Sequence, residues 1–168
     1  MTPEEIEVLI KVQAAPWTEL HQKHFAGLTD ITMIVLKGHL LVEQLLTALL
    51  SHYCHTSAQL GEARLRFRQK MGLVKAIVSP PLPEECWKML KLINQLRNDF
   101  AHELEPPKLQ QHLESVRAIA EPHRKAAPNE FQFVFDTDEG RVKFLISFCI
   151  GFLASVDSVI HLKKKSEA

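Results

Sequence analysis

The sequence has few cysteines and no excess of charge of either sign. Only three of its 168 residues are cysteines. An odd number without closely spaced pairs argues against a disulfide framework and for a reducing compartment. Lys plus Arg and Asp plus Glu both total 20, so no net field attracts nucleic acid. Any contact with RNA or DNA must therefore use a local basic patch.

The sequence also lacks the features expected of a signal peptide and of a membrane span. Residues Met1–Ile10 carry three glutamates instead of a basic stretch followed by an apolar one, which is not typical of a signal peptide. The most apolar stretch, Phe144–Leu162, contains Asp157 and His161. A membrane span needs about 20 predominantly apolar residues. We therefore expect a buried helix here, no membrane partner and a cytoplasmic location.

What the sequence does contain is a set of helix signals. A chain of 168 residues fits one domain, 1–168, whose core is large enough to be stable without disulfides or a structural metal. Apolar residues make up 46% and charged residues 24%, a globular balance. No fixed-period repeat is visible. The sequence predicts an all-α fold, a bundle of about five to six helices with long antiparallel helices and a core between about 30 and 163.

Local signals set the bounds of the predicted helices. Thr2 and Pro3 are typical of a helix start, and Pro16 predicts its end. Asp30 is a capping residue, and Pro83 is suited to opening a helix. The predicted helices are 3–14, 31–53, 62–78 with a bend at Gly72, 83–103, 108–120 and 138–163.

Two segments between the predicted helices do not have a helical pattern. Residues Glu121–Glu130 contain two prolines and mixed charge, which predicts a surface loop. In Phe131–Phe135, aromatic residues alternate with Gln132 and Val134 in the only strand-like pattern of the chain, which is too short to found a sheet.

The helix predicted at 83–103 carries the most specific chemistry. Its core stripe recurs at i, i+4, i+7 and i+11, through Met89, Ile93, Leu96 and Phe100. The opposite side of the helical wheel carries Trp87, Lys91, Asn94, Asn98 and His102. A histidine that points away from the core, on a face that also bears a tryptophan, predicts a groove or a subunit interface.

Arg97 and His102 are five residues apart, so a straight helix separates them by about 140°. Three arrangements would bring them together: the long Arg side chain, a distorted last turn, or pairing across two subunits. A two-fold axis would favour the third arrangement, because it brings each copy of the segment to the other.

The string Arg97-Asn98-Asp99-Phe100-Ala101-His102 resembles the motif of the HEPN superfamily, an Arg followed after four to six residues by His. The polar residue after the Arg matches as well. Residues Phe67–Leu73 and Leu92–Leu96 are most similar to the mannitol operon repressor-like branch. The resemblance implies a helical bundle that forms a homodimer. Many members are metal-independent endoribonucleases that act as toxins or in antiviral defence.

The resemblance also implies roles for the site residues. His102 would be the general acid or base, and Arg97 would stabilise the phosphorane-like transition state by forked hydrogen bonds. Asn98 would orient the imidazole or the phosphate. Asp99 would either orient the ring or repel a phosphate and mark an inactive site. Supporting residues would be Glu43 and Asn94. RNA supplies its own 2′-hydroxyl, so neither a metal nor a cofactor is expected.

Two other functions stay open. The first is a non-enzymatic, mannitol operon repressor-like transcriptional regulator that binds a protein partner, and the second is a structural dimer module. Catalysis predicts an RNA substrate, an antitoxin partner, and Arg97 and His102 from both chains of a dimer converging within a few ångströms in an open, positive cleft. Regulation predicts a buried motif in which neighbouring helices supply hydrogen-bond partners to the Arg and the His. Polar side chains at a helix end commonly bond in this way to free carbonyls or to a neighbouring helix.

The remaining clusters are weaker. His52–His55 and His21–His24 lack the spacing of a tetrahedral metal site, so no metal site is expected. His39 and Glu43 form an i, i+4 pair that more often marks a solvated edge. Cys86 and Cys149 are typical of buried positions. Two further patterns stay ambiguous: Arg64, Arg66, Arg68 and Lys70 fit an RNA path or a solvated helix, and Ser147, Gly151 and Ser155 permit close helix approach.

Overall fold

The computed structural model describes residues 3–79, 81–102, 106–124 and 135–167. These residues form seven α-helices and one 3-10 helix, and no strand occurs among them. The predicted all-α class and its bundle character are confirmed, and the number of helices is higher than the five to six expected. The helices are α1 Pro3–Phe25, α2 Ile31–Ser51, α3 Ser57–Glu62, α4 Phe67–Ile77, α5 Glu84–His102, α6 Leu109–Ala120 and α7 Asp138–Glu167, with the 3-10 helix at Glu121–His123.

Helix α1 is longer than the predicted 3–14. It continues through Pro16 and ends at Phe25. Pro16 is exposed, so water can hydrate the carbonyl that loses its hydrogen bond at the proline, and the local stop signal is overridden. The helix ends instead where Gly27 has a φ of 68°, a conformation that glycine adopts without strain. Thr2, the predicted cap, lies outside the described residues.

The segment predicted as one helix, 62–78, forms two. Helices α3 and α4 are separated by a short turn in which Arg64 has a φ of 46°. Few residues other than glycine adopt this left-handed conformation, and it breaks a helix. Helix α4 restarts with the Gln69 side chain accepting a hydrogen bond from the Arg66 backbone N–H at 2.9 Å. Gly72 lies inside α4, and the bend expected there stays a prediction.

Other bounds agree closely with the sequence signals. The Asp30 carboxylate accepts a hydrogen bond from the Met33 N–H at 2.7 Å and caps α2 as predicted. The strand-like residues 131–134 and the loop residues 125–130 lie outside the described residues. Phe135 is buried just before α7, and its ring centroid lies 5.1 Å from that of Phe144.

The chain divides into two compact units. The first unit comprises Met1–Lys23, Leu41–Leu82 and Ile150–Ala168, and the second comprises His24–Leu40 and Pro83–Cys149. Helices α2 and α7 contribute residues to both. In the first unit, leucines of α2 dominate the core, including Leu45, Leu46 and Leu49. The organisation as one domain stays a prediction.

The core of the second unit is built largely from α5 and α7. Its fully buried side chains include Met89, Leu90, Ile93, Leu96, Leu145 and Ile146. Helix α2 approaches α7 closely at Gly38, where an added Cβ would lie 2.4 to 2.9 Å from three side-chain carbons of Ile146. A side chain at this position would therefore push the two helices apart.

Two helices of the described chain are long and apolar enough to cross a membrane. They are Ile31–Ser51 and Asp138–Lys164. About half of each apolar window is buried within the protein, 56% and 44% respectively. Core helices of globular proteins have the same length and composition.

Candidate functional site

Helix α5 carries the Arg97–His102 segment and is anchored by a broad buried face. Cys86, Trp87, Met89, Leu90, Leu92, Ile93 and Leu96 are all buried. The predicted placement of Trp87 on the polar side is wrong, since only 3% of this residue is exposed. Of the predicted stripe, Met89, Ile93 and Leu96 are buried, whereas Phe100, near the end of the helix, is only half-buried. The buried face is wider than that stripe, as is normal for a helix packed into a globular core.

Arg97 and His102 come together at the C-terminal end of α5. The Arg97 Nη1 atom lies 3.4 Å from His102 Nε2 and 3.2 Å from Asn98 Oδ1. Since a guanidinium only donates, His102 Nε2 must accept in this contact, which places the ring proton of the neutral imidazole on Nδ1. The three predicted catalytic residues are therefore adjacent in one chain.

The surroundings of this cluster leave part of it available to a ligand. His102 and Asn98 are exposed, and Arg97 is half-buried. Arg97 directs its two contacts to neighbours on its own helix. Within the described part of the chain, no other helix supplies a hydrogen-bond partner to Arg97 or to His102. The remaining guanidinium donors can thus meet an anion such as a phosphate.

Asp99 makes a contact that the sequence did not suggest. Its Oδ2 atom lies 2.5 Å from Nδ1 of His112, on helix α6, which packs against α5. The side chains of this pair are only 14% and 15% exposed. The carboxylate is therefore held by α6, and the predicted role of Asp99 in orienting His102 has no support in these contacts. His112 carried no local signal, because its partner lies 13 residues earlier.

The supporting residue Asn94 belongs to the same unit as the cluster. Its Oδ1 atom lies 3.2 Å from Nε2 of His39 on α2. His39 is 6% exposed, so the expectation that it lies on a solvated edge is wrong. This partly buried hydrogen bond ties α5 to α2 one helical turn before Arg97, and thereby helps to fix the helix that presents the cluster.

Glu43, the other predicted supporting residue, belongs to the first unit. Its carboxylate lies 3.0 Å from Nζ of Lys70, on α4. Both side chains are partly buried, at 28% and 16% exposure, so the pair links α2 to α4. A role for Glu43 beside Arg97 and His102 stays a prediction.

A second histidine–aspartate pair lies in the first unit and was missed by the sequence analysis. Nε2 of His52 is 2.8 Å from Oδ1 of Asp157, and both side chains are largely buried. Lys164 donates to the backbone carbonyl of His52 and lies 5.7 Å from the ring centroid of Tyr53. These contacts secure the C-terminal end of α2 against α7.

The histidine and cysteine clusters do not converge into a metal site among the residues that the structure describes. No group of three or more His, Cys, Asp or Glu side chains is close enough there to hold an ion. Cys86 and Cys149 are fully buried, as expected, and they contact each other through their thiols. Burial, with a smaller contribution from Cys86, raises the pKa of the Cys149 thiol well above its ordinary value.

The small residues of α7 face a groove beside α1. Gly151 and Ser155 line a groove of about 390 Å³ together with Ala14, Ala15 and Thr18 of α1. All five residues belong to the first unit. The close helix approach that these small residues permit, within the bundle or across a dimer, stays a prediction.

No protein-family model matches the chain, and neither a curated protein nor a solved structure matches it.

Proposed function

We propose that this protein is a metal-independent endoribonuclease of the HEPN type, acting as a toxin or in defence. One observation carries the proposal: the guanidinium of Arg97 and the imidazole of the exposed His102 are in contact at the end of α5. A positioned base beside an obligate cation is the minimum that transesterification of RNA requires.

The chemistry assigns one task to each side chain. Nε2 of His102, freed when the Arg97 guanidinium turns to the phosphate, takes the proton of the 2′-hydroxyl, whose oxygen then bonds to the neighbouring phosphorus. The bond from phosphorus to the 5′ oxygen breaks, and that oxygen takes up a proton. Arg97 donates hydrogen bonds to the non-bridging oxygens as they gain negative charge. The products are a 2′,3′-cyclic phosphate and a 5′-hydroxyl.

The leaving oxygen needs a proton donor. His102 can return the proton it has taken, or a second copy of the same segment can supply one. A two-fold homodimer would bring two such segments together. We therefore include a homodimer in the proposal.

The exposure of the site favours catalysis over the regulator alternative. A regulator whose motif is structural would bury Arg97 and His102 against neighbouring helices. Instead, His102 is exposed, and the contacts of Arg97 are with Asn98 and His102 on its own helix. Such side chains contribute little to packing, and we propose that their role is to bind a ligand.

The test is cleavage of mixed RNA by the purified protein in EDTA, compared with His102→Ala. The matched control is His55→Ala, which removes another exposed histidine near a helix end. We expect wild type and the control to cut and to leave 2′,3′-cyclic phosphate ends. We expect a loss of about 10²- to 10⁴-fold for His102→Ala, as for removal of a general acid or base.

Two outcomes would contradict the proposal. The first is equal cleavage by wild type and His102→Ala, which would indicate a contaminating nuclease. The second is no cleavage by any form over a wide pH range and several RNA classes. That second result would favour the transcriptional regulator, and its protein partner would then be sought.

A further inference from the structure

The carboxylate of Asp99 belongs to the segment of the candidate site but is bound by a residue of another helix. Asp99 lies between Arg97 and His102 in sequence, and its Oδ2 atom contacts His112 Nδ1 at 2.5 Å. His112 is the fourth residue of α6. The pair is shielded, with 14% and 15% of the side chains exposed, so water competes weakly for this contact.

Without His112, the carboxylate would be free to contact side chains of its own helix. Residues three apart on a helix are neighbours, so Asp99 is within reach of the His102 ring. A carboxylate released from α6 and bound to the Nδ1–H of His102 would present a negative charge beside the phosphate that the ring has to meet, and like charges repel.

We propose that His112 is a positioning residue of this site, which binds Asp99 on the α6 side and so leaves His102 to Arg97 and to the RNA phosphate. The inference rests on the proposed ribonuclease function. It also explains how an acidic residue can sit within the motif of an active enzyme, where the sequence alone left open whether Asp99 would mark an inactive site.

The geometry gives His112 this role in more than one protonation state. Nδ1 can donate to Asp99 both in the charged imidazolium and in the neutral ring that carries its proton on Nδ1. The contact therefore orients the carboxylate whether or not the second ring nitrogen is protonated. The proposed role requires only an N–H donor at the position of Nδ1. A substitution of His112 can either keep this donor or remove it.

The test is a double-mutant cycle on RNA cleavage. His112→Leu removes the donor and keeps an apolar side chain of similar size, and Asp99→Asn removes the carboxylate charge. We expect His112→Leu to lower kcat/KM about tenfold in the wild-type background, the loss that corresponds to one good hydrogen bond. In the Asp99→Asn background it should cost less than about twofold, since no carboxylate remains to be misplaced.

A conservative variant separates positioning from packing. The side-chain nitrogen of Asn can occupy the place of Nδ1, so His112→Asn should retain most of the activity that His112→Leu loses. If His112→Leu costs the same in both backgrounds, His112 only packs α6 against α5 and the proposal is overturned. If His112→Leu does not fold, His112→Phe takes its place in the cycle.

A second readout keeps this proposal separable from the ribonuclease function. Ring ¹⁵N resonances of His102, recorded without RNA, report which groups its nitrogens contact. We expect them to shift in His112→Leu and to return towards wild type in the double variant with Asp99→Asn. Unchanged His102 resonances in His112→Leu would overturn the positioning role, whether or not the wild type cleaves RNA. Absence of cleavage with the expected shifts would overturn the proposed function alone.

Discussion

Arg97 Nη1 lies 3.4 Å from His102 Nε2, although the two residues are five positions apart on one helix. A regular helix sets such residues about 140° apart, so backbone geometry alone does not bring them together. The reach of the arginine side chain closes the gap, and Asn98 holds the same nitrogen at 3.2 Å. A second subunit is therefore not needed for this contact.

The first prediction concerns the kind of cation at position 97. We expect Arg97→Ala to lower kcat by about 10²- to 10³-fold, as for loss of a donor to a developing oxyanion. Arg97→Lys should recover only part of this, because an ammonium is a point charge without the planar fork. Cleavage assays in EDTA measure both, with Arg117→Ala, an exposed arginine of α6, as control. Full activity of Arg97→Lys would contradict the forked-donor role.

The second prediction concerns the helix crossing at Gly38. Gly38→Ala should lower the free energy of unfolding by about 1–3 kcal/mol, because its Cβ would overlap Ile146. Gly72→Ala is the matched control, since its Cβ would meet no atom within 4 Å. That substitution should raise stability by up to about 1 kcal/mol. Urea denaturation followed by circular dichroism measures both, and equal effects would contradict the close approach.

The third prediction concerns how a chain without net charge binds RNA. Arg64, Arg66 and Arg68 are all exposed on or just before α4. If each contacts one phosphate of single-stranded RNA, changing all three to Gln should reduce the slope of log K against log salt by about 2. Fluorescence anisotropy of the His102→Ala protein, which does not consume the RNA, measures this slope.

A matched control for this measurement changes three exposed cations elsewhere to Gln: Lys23, Lys88 and Arg117. Each triple variant loses the same charge, so only a local contact distinguishes them. Equal slopes for the two variants would show that the three arginines are a solvated surface.

The fourth prediction concerns the thiols. Cys54 is exposed, whereas Cys86 and Cys149 are fully buried. We expect a maleimide to label one thiol per chain in the folded protein and all three after addition of denaturant. Mass spectrometry counts the labels. Rapid labelling of Cys149 in native buffer would contradict its burial.

The fifth prediction follows from the raised pKa of Cys149. The unfolded thiol ionises near its ordinary pKa of 9.0, while the folded thiol stays protonated. The associated stability is therefore complete below about pH 9 and is lost as pH rises towards the folded pKa. Urea midpoints at pH 8 and pH 10 measure the loss, and Cys149→Ala should show a smaller decline. An equal decline in both proteins would contradict this linkage.

Local signals predicted most of the helices because each depends on a few adjacent residues. The Asp30 cap and the start of α5 after Pro83 appear where the sequence indicated. The same rules were wrong at Pro16, where an exposed proline did not end α1, and at Arg64, whose left-handed conformation splits the segment 62–78. In both places the backbone departs from the preference of the individual residue.

The contacts of the candidate site also differ in how far the sequence predicted them. The sequence by itself predicted that Arg97, Asn98 and His102 lie within two turns of the end of an amphipathic helix. It left open whether the arginine side chain, a distorted turn or a second subunit brings Arg97 to His102, and the structure shows the contact within one chain. Only the tertiary structure decided which side chains contact Asp99, Asn94 and His52. Their partners are His112, His39 and Asp157, which lie 13, 55 and 105 residues away in the sequence. Such partners are chosen by how helices pack, and the packing depends on side-chain volumes along whole helices rather than on any adjacent residues.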